Sequence, residues 1–247
     1  MALLRAENIS VKFNTEQVLK DVSISLNEGE LVSILGVSGS GKTTLFNVLS
    51  GLITPESGHI YLNDDEITGQ SGHMSYMLQK DLLLPYKKIV DNVALPLIIK
   101  GTKTKDAREQ VLPYLRDFGL LDTAKKYPHQ LSGGMRQRVA LLRTYMFNSN
   151  IALLDEPFSA LDTLTKSAMH KWYLNIMSRI TMSTLFITHD IDEAIMLSDR
   201  IYILGSNGNI VNEVFIDPKH VRKEDFSLSE EFLEYKKTIL KSIGECE

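Results

Sequence analysis

The tightest constraint in the chain is one octapeptide, Gly36-Val37-Ser38-Gly39-Ser40-Gly41-Lys42-Thr43: a glycine, four residues, then glycine, lysine and a hydroxyl residue. It follows the apolar run Leu31 to Leu35, and Leu45, Val48, Leu49 and Leu52 come after it at helical spacing. The unit therefore reads as a buried strand, a tight loop, and a helix opening near Lys42. Glycines let backbone N–H groups converge on phosphate oxygens, and the first turn of a helix adds the positive end of its dipole. Lys42 supplies a point charge for β- and γ-phosphates, and Thr43 offers a hydroxyl to Mg²⁺, an ion that prefers a few protein oxygens beside phosphate and water. Gly36, Ser38, Gly39, Ser40, Gly41 and Thr44 complete the expected cradle.

The rest of the chain is able to bury such a unit. Of its 247 residues 43% are hydrophobic and 23% charged, which fits a globular protein with a large core and excludes disordered and collagen-like classes. A formal net charge of -4, from 27 basic and 31 acidic residues, gives no field to draw the chain onto nucleic acid or anionic lipid. No run of 18 or more apolar residues and no secretion signal is read, so membrane contact is expected only through a protein partner. Cys246 is the sole cysteine, so intrachain disulfides and cysteine-based metal sites are excluded, and a reducing compartment fits. The histidines at 59, 73, 129, 170 and 220 make no metal-ligand spacing.

Residues 3 to 13 and 18 to 26 alternate β-branched and polar side chains around the polar NTEQ, which predicts an antiparallel hairpin. From about Leu82 to Ser149 the period changes: Val111, Leu112, Leu115 and Phe118, then Met135, Val139, Leu142 and Met146, recur at three and four residues, as helices require. Ile151 to Leu154 and Thr184 to Ile187 are short apolar runs suited to a parallel sheet, with helix expected around Met169 to Ile180 between them. Arg200 to Leu204 and Ile210 to Phe215 predict a late hairpin around SNGN, and the charged tail after Pro218 predicts helix. No internal repeat or low-complexity linker is present.

Asp155 and Glu156 end the run Ile151 to Leu154, at the carboxyl edge where open α/β sheets bind ligands. Asp155 is expected to hold hydrated Mg²⁺. Glu156, pointing to the other side of an extended backbone, is expected to orient the water that attacks a γ-phosphate. Ser132, followed by Gly133 and Gly134, can cap a helix whose first N–H groups stay free, which makes a second anion site far along the chain from the first.

The segment Leu131-Ser132-Gly133-Gly134-Met135-Arg136-Gln137-Arg138 resembles the signature sequence of ATP-binding cassette (ABC) proteins. Other elements of that family's pattern follow in order. Gln79 in YMLQKDLLLP resembles the Q-loop, Ser159-Ala160-Leu161-Asp162 the D-loop, and His189 in ITHD the switch histidine. The resemblance spans roughly residues 3 to 215. It implies an α/β fold: a P-loop NTPase core with a mixed, mostly parallel sheet, an N-terminal antiparallel β subdomain and an inserted helical subdomain at about 82–149. The cassette would occupy 1–217, with a peripheral helical extension at 218–247. The resemblance further implies an ATPase in which Ser132, Gly133, Gly134 and Gln137 of one subunit complete the ATP site of another, so that two copies, or two paired cassettes, close around two ATP. His189 would contact the γ-phosphate, Gln79 would link the Mg²⁺ site to a transmembrane partner, and Asp162 would lie in the D-loop. Adenine is usually stacked by a tyrosine of the first hairpin; Phe13 matches that position, and a phenyl ring can still stack.

YMLQKDLLLPYKKIVDNVALPL and DEPFSALDTLTKSAMHKWYLNI are similar to importer ATPases serving nitrate, sulfonate, taurine and thiamine-precursor uptake. That similarity implies a separate permease dimer, with Leu82 to Tyr86 partly partner-facing, an extracellular solute-binding protein, and a place on the cytoplasmic face of the cell membrane. An exporter or lipoprotein-release ATPase is the alternative within transport. A non-transport cassette is the alternative outside it, although tandem cassettes and long heptad runs are absent. A P-loop kinase or GTPase would leave Ser132 and His189 without purpose, and no guanine-reading N-K-x-D element appears.

Overall fold

The computed structural model describes residues 2–147, 149–159, 161–180, 182–217 and 226–244; Ala160, His220 and Cys246 lie outside the described residues. The alternating N-terminal segments form β1 (Leu4–Phe13) and β2 (Glu16–Leu26), joined at Asn14, whose left-handed φ of 54° an asparagine tolerates well. They pair antiparallel and continue through β4 (Ser57–Leu62) and β5 (Asp65–Glu66) in the order β2-β1-β4-β5.

The second sheet carries the apolar runs. It comprises β3 (Leu31–Gly36), β6 (Ser75–Met77), β7 (Ile151–Asp155), β8 (Ser183–Thr188), β9 (Arg200–Leu204) and β10 (Ile210–Phe215), ordered β10-β9-β3-β8-β7-β6. Every neighbouring pair is parallel except β9 with β10, the expected late hairpin. Because both faces are covered, successive residues of one strand serve different cores. Leu153, Leu185 and Ile187 pack with α1 (Lys42–Leu49) and the antiparallel sheet, while Leu154 and Phe186 pack toward α2 (Ile89–Ile99), α3 (Thr104–Asp117), α4 (Gly133–Tyr145) and α5 (Thr163–Met177). A third core joins Leu35, Ile201 and Ile203 to α6 (Ile191–Leu197) and α7 (Glu230–Gly244), which buries Phe232 and Ile239 there.

Three strands and one helix carry no sequence expectation, while α2 lies within the stretch expected to be helical. β5 and β6 span two and three residues, too few to show an alternation, and α6 has seven, less than two full turns. β4 holds only one buried residue, Ile60, and α2 is apolar with little periodic contrast.

Arg200 clamps the two sheets together. Its guanidinium is 6% exposed and forms a two-pronged pair with Glu30, Nε to Oε1 and Nη2 to Oε2 both at 2.9 Å. Its Nη1 also donates to Glu213 at 2.8 Å and to the Tyr202 hydroxyl at 3.0 Å, and Nη2 donates to the Ser25 carbonyl at 2.8 Å. Removing one member of such a set leaves the remaining charge desolvated without a partner. Arg200→Met is therefore expected to lower unfolding free energy by about 3 kcal/mol, read from the midpoint of urea denaturation at an unchanged slope.

Candidate functional site

The strand ladders bring four segments to one sheet edge. Leu35 pairs with Thr188, Asp155 with Ile187, and Met77 with Leu154, so Gly36, Glu156, His189 and Gln79 emerge side by side. There Gln79, Glu156 and His189 border a cavity of about 530 Å³, lined also by Val18, Ser38, Gly39, Gly41, Lys42, Thr43 and Thr44.

The glycine loop is built for close approach. A Cβ on Gly36 would meet the Leu204 carbonyl oxygen at 2.5 Å and Ser40 Oγ at 2.8 Å. Gly41, with φ 98°, sits at the N-cap of α1, and a Cβ there would meet the Val18 carbonyl oxygen at 2.9 Å. Lys42 opens α1, is buried, and folds back so that Nζ donates to the carbonyls of Gly36 at 2.9 Å and Val37 at 2.7 Å. Burial pushes its ammonium below the usual lysine range, with Glu156 and Asp155 acting in the opposite direction. Thr43 Oγ1 donates to Asp155 Oδ2 at 3.1 Å. Burial raises the Asp155 carboxyl above the usual aspartate range, against the Thr43 hydrogen bond; the neighbouring Glu156 charge adds to the rise and Lys42 opposes it.

Glu156 departs from the expected geometry. The strand stops at Asp155, and Glu156 turns left-handed at φ 47°, not extended. Its N–H still reaches the Ile187 carbonyl at 3.1 Å, while its own carbonyl accepts from Ser159 N at 3.2 Å and Ser159 Oγ at 3.0 Å, which closes a tight turn. The carboxylate nevertheless faces the cavity, held from two sides. Gln79 Nε2 donates to Oε2 at 3.0 Å and His189 Nδ1 lies 3.2 Å from Oε1. Three residues far apart in sequence thus meet within hydrogen-bonding distance over the glycine loop.

Phe13, at the end of β1, is 47% exposed and does not line the cavity; Val18 on β2, which carried no sequence expectation, does. Ser132, Gly133 and Gly134 are also absent from its lining. Ser132 is exposed and caps α4, accepting the Met135 N–H at 3.3 Å. Gly134 lies tight against α5, where a Cβ would come within 3.2 Å of Thr165 Cγ2, whereas Gln137 is buried. Asp162 caps α5, its carboxylate accepting from Thr165 N at 3.1 Å. Leu82, Pro85 and Tyr86 are exposed and Leu83 is buried, so the segment after Gln79 divides between surface and core.

A family model described as ABC transporter matches residues 19–159. The uncharacterized ABC transporter ATP-binding protein YtlC of Bacillus subtilis is 41% identical over 212 residues, covering 86% of this chain and 81% of its own length. The formylaminopyrimidine import ATP-binding protein ThiZ of Halalkalibacterium halodurans is 42% identical over 202 residues, 81% of this chain and 79% of its own. The nitrate import ATP-binding protein NrtD of a Synechocystis strain is 38% identical over 200 residues, 81% of this chain and 75% of its own. Among solved structures, a dimeric bacterial ABC transporter cassette in a post-hydrolysis state bound to ADP and Pi superposes with a TM-score of 0.74 at 30% identity, covering 89% of this chain and 99% of that one. The glycine loop, the paired acids and the matched span agree, and the chain belongs to the ABC transporter family as an ATP-binding cassette with ATPase activity.

Proposed function

We propose that this cassette is the nucleotide-binding subunit of an importer, energising uptake through a separate permease by closing with a second cassette around two ATP. The observation that carries the reading is the Gln79, Glu156 and His189 cluster over the loop of Lys42 and Thr43, with Ser132 on a different surface. ATP would lie with its phosphates on the backbone amides of Gly36 to Thr44 and against Lys42, under the N-terminus of α1. Glu156, steadied by Gln79 and His189, would polarise a water for in-line attack on the γ-phosphorus, and His189 would also contact the γ-phosphate. An exposed, capped N-terminus with two glycines at Ser132 is suited to phosphate, but it must come from a second copy. Closure is favoured while ATP bridges the halves and withdrawn on hydrolysis.

The residues present fit Mg²⁺. Thr43 and Asp155 are hard oxygen donors in contact at 3.1 Å, and the buried Asp155 carboxylate lies beside the like charge of Glu156. Thr43, Asp155 through water, and the Gln79 amide oxygen would hold the ion, which when bound offsets charge on the β- and γ-phosphate oxygens.

Import is supported by the similarity to the import proteins ThiZ and NrtD and to the aliphatic sulfonates import ATP-binding protein SsuB of Albidiferax ferrireducens, 40% identical over 203 residues. The solute is accordingly of the nitrate, sulfonate, taurine or pyrimidine type, delivered by an extracellular binding protein. No helix among the described residues is long and apolar enough to cross a membrane, so attachment to the cytoplasmic face would run through the permease, partly by Leu82 to Tyr86. On this reading residues 1–217 form the cassette, with about 82–149 inserted as the helical subdomain and 218–247 as an extension.

Glu156→Gln is expected to lower kcat about a thousandfold while ATP still binds and a nucleotide-bound dimer elutes on size exclusion; a rate near wild type would remove Glu156 from the chemistry. Turnover per subunit should rise with protein concentration, and full activity in dilute monomer would contradict the shared site. Asp155→Asn should abolish Mg²⁺-dependent turnover yet raise the melting temperature of the nucleotide-free protein at neutral pH. A carboxyl whose folded pKa is raised costs stability once pH exceeds its unfolded value, fully above the folded value. The gain from Asp155→Asn should therefore shrink as pH falls through that window and vanish below it, as differential scanning calorimetry would register.

A further inference from the structure

A partly buried charge cluster joins the helix capped by Asp162 to the turn that carries His189. One turn into α5, Lys166 Nζ lies 2.6 Å from Asp190 Oδ2 and 3.1 Å from Glu193 Oε2. Asp190 directly follows His189 and caps α6. Its Oδ1 accepts the Glu193 N–H at 3.1 Å and its own N–H donates to Thr188 Oγ1 at 3.0 Å. The Glu193 side chain is 2% exposed, and His170, one turn beyond Lys166 on α5, brings Nε2 to 3.3 Å from Glu193 Oε2. The His170 ring in turn meets Phe158 edge-on, with centroids 4.9 Å apart, two residues beyond Glu156.

One ammonium stands between two carboxylates, so Lys166 is what lets Asp190 and Glu193 sit close together. Burial pulls the Lys166 ammonium down, but its hydrogen bond to Asp190 and the charge of Glu193 outweigh this and hold it above the usual lysine range. Burial likewise pushes Asp190 up, and the Lys166 contact together with the backbone N–H groups of Glu193 and Asp192 more than reverses it. Without the ammonium, the two carboxylates at the cap and in the first turn of α6 would repel, and the cap residue next to His189 would shift. The His189 to Glu156 contact, at 3.2 Å, is near the long end for a hydrogen bond, so a small displacement breaks it.

We propose that Lys166 is a positioning residue for ATP hydrolysis: by bridging Asp190 and Glu193 it fixes the turn from which His189 reaches Glu156, and it ties that turn to the helix begun at Asp162. The inference rests on the reading of His189 given above. Lys166 touches no reacting atom; it acts through His189 alone. Its aliphatic stem is mimicked by methionine, its charge by arginine, and asparagine at 190 keeps the helix cap while removing the partner charge.

The test is steady-state Mg-ATP hydrolysis by the purified full chain for Lys166→Met, Lys166→Arg, Asp190→Asn and His189→Ala, and for Lys166→Met combined with His189→Ala. Misplacing a catalytic group slightly is costly, so Lys166→Met should lower kcat on the order of tenfold with KM nearly unchanged, the rates being compared well below the melting temperature, which should itself fall because Glu193 loses its cation. Lys166→Arg should restore most of the rate. In the His189→Ala background the added Lys166→Met should cost less than about twofold, because both act on one element. Losses that multiply in the double variant, with His189→Ala itself slow, would overturn the role of Lys166 and leave that of His189 intact; a wild-type rate in Lys166→Met would do the same. A full rate in His189→Ala would instead overturn the reading of His189 and the inference with it. Should Lys166→Met fail to fold, Asp190→Asn carries the same expectations: a lowered kcat, an unchanged KM, and no multiplication with His189→Ala.

Discussion

The ladder between β7 and β8 pairs Asp155 with Ile187, and the ladder between β3 and β8 pairs Leu35 with Thr188. These pairings decide where each strand runs out and so which side chains share the sheet edge. A slip of one residue would turn Asp155 to the opposite face and exchange the apolar side chains of two cores. Leu153, Leu185 and Ile187 fill one core and Leu154 and Phe186 the other, so packing opposes the slip from both sides. The site thus inherits its geometry from apolar residues that never touch it.

That geometry is held at a cost in stability. Lys42 and Asp155 attract one another, yet desolvation dominates both, driving the lysine down and the aspartate up. Glu156 adds a like charge and a left-handed backbone that costs on the order of 1 kcal/mol in a residue with a side chain. Lys42 meets the cost in part by donating to two loop carbonyls, which also keeps its charge at the mouth of the cavity. Groups so placed gain most from a polyanion and a divalent cation, because each then finds the opposite charge it lacks.

Much of this was legible from residue order. The glycine loop, the acid pair, the serine before two glycines and the short apolar strands could be named because each depends on spacing within a dozen residues. The direction of Glu156 could not, since it is set by bonds to Ile187 and Ser159 and not by the pleat of its own strand. Val18 was missed for a related reason: only the fold carries β2 beside Gly41, while its sequence position marks it as ordinary hairpin packing. The Lys166 cluster was hidden because its members are separated by more than twenty residues and each alone reads as a solvated helix charge. A helix cap such as Asp190 has a local signature; its partner across the fold has none.

The helix capped by Ser132 is tied to the sheet edge through the loop that follows Gln79. Arg136, in the second turn of α4, bonds the Asp81 carboxylate at 3.1 Å and the Leu131 carbonyl at 3.1 Å, while Arg143 donates to the carbonyls of Asp81 at 2.6 Å and Leu82 at 2.8 Å. Asn92, fully buried in α2, fixes the same loop by accepting Leu84 N at 2.7 Å and donating to Lys87 O at 3.1 Å. The loop from Asp81 to Lys87, just beyond Gln79, therefore cannot shift far while the helix capped by Ser132 stays still, unless several of these bonds, those of the two arginines charge-assisted, break together. On the proposed reading, a permease pressing on the exposed Leu82, Pro85 and Tyr86 would act on one rigid piece. The distance between that piece and the Lys42 loop, not its internal shape, would then be what ATP binding and hydrolysis change.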